Sequence, residues 1–241
     1  MQIWIDILTP KQLLFLHPLA QLLHERRHHV YLTSRDYREV NQLIKMKNLS
    51  IDILGKHGGA SRPLKLRSSA QRVIDLTKTI EKKKIDLVVS FSSVESARVA
   101  FGLSIPHVSI SDSPHAEAVS RLTIPLSKLL FTPWIIPKKA WTRYGIKEDS
   151  VVQYRALDPF VWVRKIVPTP NYLKIIGLDK EKPVLTIRPP EEYAAYLLNS
   201  PEKSITAKII EKLLKSNLDL SIVVLPRYQA QIQTYKRLFK K

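Results

Sequence analysis

Ser111, Asp112, Ser113 and His115 fall within five residues, where the β-branched run PHVSIS (106–111) ends. A carboxylate and an imidazole this close together can take a proton from a substrate hydroxyl, since an imidazole titrates near neutral pH. The same residue types also suit a plainer task. Asp112 or Ser113 can cap a helix whose first residue is Pro114. Such a helix would place His115, Ala118 and Leu122 on one face and pair Glu117 with Arg121 at i,i+4. Capping gives His115 and Arg121 no role, so Asp112 and His115 stand as the catalytic candidates, with Glu117 and Arg121 beside them.

Three further loops carry binding chemistry. In LTPKQ (8–12), Thr9 can cap a helix and Pro10 suits its first turn, so Lys11 and Gln12 would project donors at the positive helix end. In GKHGGAS (55–61), Gly58 and Gly59 permit close backbone approach while Lys56 and His57 add charge or donors, a composition suited to phosphate. In SFSSVES (90–96), Ser92 and Ser93 gather hydroxyls at a helix start. The sequence has no G-x-G-x-x-G, Walker A, G-x-S-x-G or H-E-x-x-H pattern. HERRHH (24–29) runs from a helix end into a strand without a fixed ligand set on one face, so no metal site is expected. No cofactor is required by anything in the pattern.

The elements that must position these loops are legible. Short Ile- and Val-rich runs predict strands at 2–7, 28–33, 49–54, 86–91, 106–111, 128–132 and 151–155. Between most of them apolar residues recur at helical spacing, as in Leu13, Leu19 and Leu23, or Val73, Leu76 and Ile80. Strands alternating with helices, with continuous rather than alternating apolar runs, predict a doubly wound parallel α/β sheet covered on both faces. In that class ligands bind beyond the carboxyl ends of the strands, where all four loops would lie. A break is expected near residue 156, followed by the cluster of Pro159, Pro168 and Pro170. The N-terminal domain is therefore read as 1–158 and the second as 159–241. The second holds a helix at 170–176, a strand at 183–188, a helix at 203–216, a strand at 220–226 and a helix from 228. Two βα repeats make half of a doubly wound domain.

The chain of 241 residues has no cysteine, which excludes thiolate catalysis, disulfides and Cys-based zinc sites. It opens without a basic n-region or cleavage site and has no membrane-length apolar run, so a cytoplasmic protein is expected. Lys and Arg number 39 against 21 Asp and Glu, a net charge of +18. The excess is spread, net +10 over 1–160 and +8 over 161–241. Solvated lysine-rich faces account for such a spread; an anionic small molecule or lipid surface is the functional alternative. Without an arginine-rich tail or aromatic–basic repeat, nucleic acid is the least favoured partner.

IWIDILTPKQ, TSRDY, GKHGGAS, ARVAFGLSIPHVSISDSPHAEAVSRLTIPLS and LPRYQAQI together resemble the largely archaeal family called domain of unknown function 354. That family is similar to GT-B glycosyltransferases and to UDP-N-acetylglucosamine 2-epimerase, with two Rossmann-like domains. The resemblance spans essentially the whole chain and implies a GT-B-like protein acting on a nucleotide sugar or phosphorylated substrate. Family members continue past LPRYQAQI into a strand and a Gly-Gly-Thr loop, so the chain is expected to be C-terminally truncated, keeping the acceptor-side domain and an incomplete donor-side one. On this reading Asp112 or His115 is general base on a sugar hydroxyl; Lys11, His57 and Arg121 hold phosphate or carboxylate; and Arg188 lines the site from the second domain. Two alternatives stand beside it. One is a non-catalytic or split product needing a partner chain that supplies the missing part. The other is a basic binder of anionic surfaces.

Overall fold

β1 (Gln2–Ile7) explains the architecture of the first unit, because both its faces are buried. Ile3, Ile5 and Ile7 point to one side, where Leu13, Leu16 and Ala20 of helix α1 (Pro10–Glu25) and Val40 of α2 (Arg38–Met46) cover them. Trp4 points to the other, against Leu76 and Ile80 of α3 (Arg62–Ile80) and Val99 and Ala100 of α4 (Val94–Gly102). A strand buried on both faces must lie between two helical layers. In the computed structural model, which describes residues 1–59, 61–164, 166–190, 205–216 and 218–239, it does.

Seven parallel strands form the sheet: β2 (His29–Asp36), β3 (Asp52–Lys56), β4 (Leu87–Ser90), β5 (His107–Ile110), β6 (Leu129–Pro133) and β7 (Val151–Tyr154) join β1 in the order β3-β2-β1-β4-β5-β6-β7. The chain winds outward from β1 to β3, then returns to β4 on β1's other side. The switch point of this doubly wound sheet therefore lies between β1 and β4. At the β7 side, Trp141 of α6 (Lys139–Thr142) packs with Ile124, Leu130, Tyr144, Ile146 and Val151, and its indole N–H donates to Thr132 at 3.2 Å.

Two compact units divide the chain at Ile166 and Val167. The first ends with α7 (Phe160–Val163), which packs on α1. The second contains α8 (Tyr172–Ile175), the parallel pair β8 (Val184–Ile187) and β9 (Ser221–Val224), α9 (Ile205–Lys215) and α10 (Gln229–Leu238). Arg227 and Gln231 tie the start of α10 to the carbonyls of Pro189 and Pro190. The first two positions of the helix expected over 203–216, and the last two of the C-terminal one, lie outside the described residues. No helix among the described residues is long and apolar enough to cross a membrane.

Candidate functional site at the carboxyl edge of the sheet

Lys11 is the point where three loops meet. It stands at the second position of α1, after β1, and its ammonium bonds Asp112 after β5 and lies 2.8 Å from Asp158 after β7. It also sits 4.5 Å from the centre of the Phe91 ring, after β4. Asp158 is buried, with 2% of its side chain exposed, and accepts from the Tyr154 hydroxyl. Lys11 and Asp112 keep 37% and 33% exposed, so a ligand reaches these two and not Asp158. Burial would raise the Asp112 carboxyl, but the hydrogen bond and charge of Lys11, with help from Ser113 and Asp158, hold it below the ordinary carboxylate range. At neutral pH Asp112 is an anion. Burial and the Asp158 carboxylate push the Tyr154 phenol well up, keeping it a donor.

The loop carrying Asp112 is shaped by its own polar groups rather than by a helix cap. Ser111 is buried and accepts from the Ser113 N–H at 3.4 Å, and the Ser113 hydroxyl donates to Asp112 at 2.9 Å. Arg143 and the Tyr144 hydroxyl both donate to the Pro114 carbonyl, at 2.9 and 2.6 Å. With those groups engaged, the helix does not start at Pro114 as the sequence predicts. α5 spans Glu117–Thr123, and its N-cap, Ala116, offers no side-chain bond. Pro114 and His115 occupy a turn, so His115 does not share a helical face with Ala118 and Leu122. His115 is exposed. Glu117 and Arg121 form the expected i,i+4 pair at 2.7 Å and are both largely in solvent.

A second cluster lies on the sheet's other face, at the switch point. Register puts Asp6 on the Trp4 side and opposite Thr33. There Arg72 of α3 donates to both carboxylate oxygens, at 2.9 and 2.6 Å, Ser93 to one at 2.6 Å and Thr33 to the other at 2.7 Å. All four side chains are buried. Burial alone would raise Asp6; the charge and hydrogen bonds of Arg72 and the two hydroxyl donors reverse that and keep it ionised. Arg72 also donates to the Leu54 carbonyl at 2.9 Å and lies 3.7 Å from Glu95. It passes over Gly55, where an added Cβ would stand 2.8 Å from the Arg72 Cγ.

The remaining candidates divide between ligand-accessible and structural positions. Thr9 caps α1, accepting from the Gln12 N–H at 3.4 Å, and Ser93 caps α4 while binding Asp6. Gln12 is occupied on both ends of its amide, accepting from Leu8 and donating to the Phe91 carbonyl. Ser92 donates to the Ile110 carbonyl, with its backbone at φ +54°. Gly58 does permit a close approach, but by α3 itself: an added Cβ would fall 2.4 Å from the Lys65 Cα. Gly59 stands in open space at φ +68°. Lys56 is exposed, and His57 is half-buried with its ring 5.3 Å from Tyr37. Burial, together with Arg35 and Lys65, lowers the His57 pKa. Arg188 is exposed just past β8, in the second unit.

Sequence reasoning missed Asp158, Asp6, Arg72 and Tyr154. A carboxylate following β7 holds the same topological place as Asp112 after β5, which is the signal that was available for Asp158. Among the described residues no cluster of three or more His, Asp and Glu could hold a metal ion.

Comparison with solved structures places this geometry in a known fold. The UDP-GlcNAc 2-epimerase of Neisseria meningitidis, solved with UDP-GlcNAc, superimposes with a TM-score of 0.77 at 18% identity over all of this chain and 70% of that one. The epimerase of Methanocaldococcus jannaschii gives 0.67 at 18% over 99% and 68%. Anabaena HepE, solved with UDP-glucose, gives 0.62 at 13% over 97% and 71%. These likenesses establish an α/β fold of the GT-B type. In sequence, an uncharacterised protein of Methanocaldococcus jannaschii is 30% identical over 243 residues, 99% of this chain and 69% of the relative. The model of the family described as Protein of unknown function (DUF354) matches residues 1–240, and the chain belongs to that family.

Proposed function

We propose that this chain binds a nucleotide sugar at the carboxyl edge of the first sheet and acts on it as an epimerase or glycosyltransferase. The observation that carries this is the partly exposed Lys11–Asp112 pair, backed by buried Asp158, at the edge where doubly wound sheets bind ligands. The neighbours solved with UDP-GlcNAc and UDP-glucose support the choice of ligand class. Lys11 is the cation for a phosphate oxygen. Asp112 is the acceptor for a sugar hydroxyl and the general base, with exposed His115 the second candidate. Resting Asp112 is held ionised by Lys11, which makes it a weak base. A phosphate that draws Lys11 away removes the hydrogen bond and charge that hold Asp112 low, and that raises its proton affinity when the substrate arrives.

Calorimetric titration of the full chain with UDP-, GDP-, CDP- and dTDP-sugars tests this. Saturable binding to one nucleotide class is expected, weakened about tenfold or more in Lys11→Ala and Asp112→Asn. Equal binding in both variants removes the assignment. A second reading, a chain needing a partner chain to complete its second unit, draws support from β8 and β9, which contain no fully buried residue. A folded chain that binds none of the panel would favour it.

A further inference from the structure

Arg35 stands one residue before the end of β2, and its Nε is shielded from water without a hydrogen-bond partner. Its guanidinium makes no ion pair among the described residues, although two carboxylates act on its charge. Asp6 is committed to Arg72, Ser93 and Thr33, and Glu95 lies against Arg72 and Ser93. What remains near Arg35 is the Tyr37 ring, 6.0 Å away, and His57, its ring tilted by 45° and centred 5.3 Å from that ring. The His57 Nδ1 accepts from the Gly59 N–H at 3.1 Å, which leaves the ring proton on Nε2 as a donor. Burial and the neighbouring Arg72 weaken the charged form of Arg35; Glu95, Asp6 and Tyr37 support it. Arg35 and Lys65 in turn disfavour a charged His57, against Glu39. A guanidinium fork with five donors, half out of water and unused, is costly unless an acceptor arrives.

We propose that Arg35, with His57 beside it, binds an anionic group on the ligand, a carboxylate or a phosphate monoester. This rests on the nucleotide-sugar reading and narrows it. From β2 to β5 are three strand steps, about 14 Å. An anionic group at Arg35 thus lies too far from Asp112 for one monosaccharide to bridge, and fits a ligand with two linked parts. The acidic group marks the end remote from the reacting hydroxyl.

The test titrates the full chain with inorganic phosphate, glucuronate, glucose 6-phosphate and glucose, in wild type, Arg35→Gln and Arg35→Lys. Circular dichroism melts check that each variant folds. Phosphate and at least one acidic sugar are expected to bind about tenfold or more tightly than glucose, with the preference lost in Arg35→Gln and partly restored in Arg35→Lys. Preference for glucuronate or for glucose 6-phosphate tells carboxylate from phosphate. Equal binding of acidic and neutral probes, a preference that survives Arg35→Gln, or no binding of any acidic probe up to about 20 mM overturns the proposal. Arg35-dependent anion binding in a chain indifferent to every nucleotide sugar would instead overturn the nucleotide-sugar reading and keep this site.

Discussion

His107 makes the stability of this protein depend on pH in a predictable direction. Its register opposite Val88 puts the ring on the Trp4 face of the sheet, where it is fully buried between two hydroxyls. Ser127 uses its hydroxyl proton on the Thr123 carbonyl at 2.7 Å, so its oxygen accepts from His107 Nδ1–H at 3.0 Å. Nε2 therefore accepts from the Ser90 hydroxyl at 2.9 Å, and the Ser90 oxygen accepts from the Ser93 N–H at 3.2 Å. Every polar atom in this chain of bonds is satisfied by a neutral ring. A second ring proton would point at the proton of Ser90. Burial pushes the His107 pKa from 6.5 down to about 4, against the pull of the Asp6 carboxylate.

The unfolded chain takes up this proton below pH 6.5 and the folded chain does not until about pH 4. Stability from His107 is thus complete above 6.5 and is lost as the pH falls toward 4. The whole gap is worth about 3 kcal/mol, of which about 2 kcal/mol is gone between pH 7 and pH 5. Urea unfolding at both pH values, in wild type and His107→Gln, measures it. The variant is expected to be less stable at pH 7, because Ser90 and Ser127 lose a partner, yet to lose less on acidification. His57, whose pKa burial also lowers, shifts stability in the same direction in both proteins, so the difference between them isolates His107. A wild-type change below about 0.5 kcal/mol, or an equal loss in the variant, would refute the reasoning.

Two more expectations concern packing that holds the site. Arg72→Met leaves the fully buried Asp6 carboxylate without its cation and is expected to cost about 3–5 kcal/mol in urea unfolding, while adding Asp6→Leu recovers a substantial part. Gly58→Ala places a methyl group into the Lys65 backbone, so the loop must shift; a loss of about 1–3 kcal/mol is expected, with no loss in Gly59→Ala beyond the strain of its positive φ.

The central strands of the first sheet were readable in advance because a parallel strand covered on both faces needs a largely apolar run. Where the boundaries moved, burial and pairing had parted company. The run at 49–54 predicts a strand, yet β3 is Asp52–Lys56. Asn48, at φ +48°, turns the chain, and Leu49 and Ile51 pack on the core before any strand pairing begins. The site was legible where its residues sit in loops, as Lys11 and Asp112 do. It was not legible where a charge hides inside an apolar element. Asp6 reads as a flaw in β1 and Arg72 as one more cation of a solvated helix; only their meeting across 66 residues gives either a purpose. The same holds for Arg35, which looks like surface charge until its neighbours prove to be committed elsewhere. A carboxylate inside a buried strand demands a cation, because its desolvation is otherwise prohibitive. A cation beside such a pair, with no carboxylate left to bind, is then the residue whose partner should be sought outside the chain.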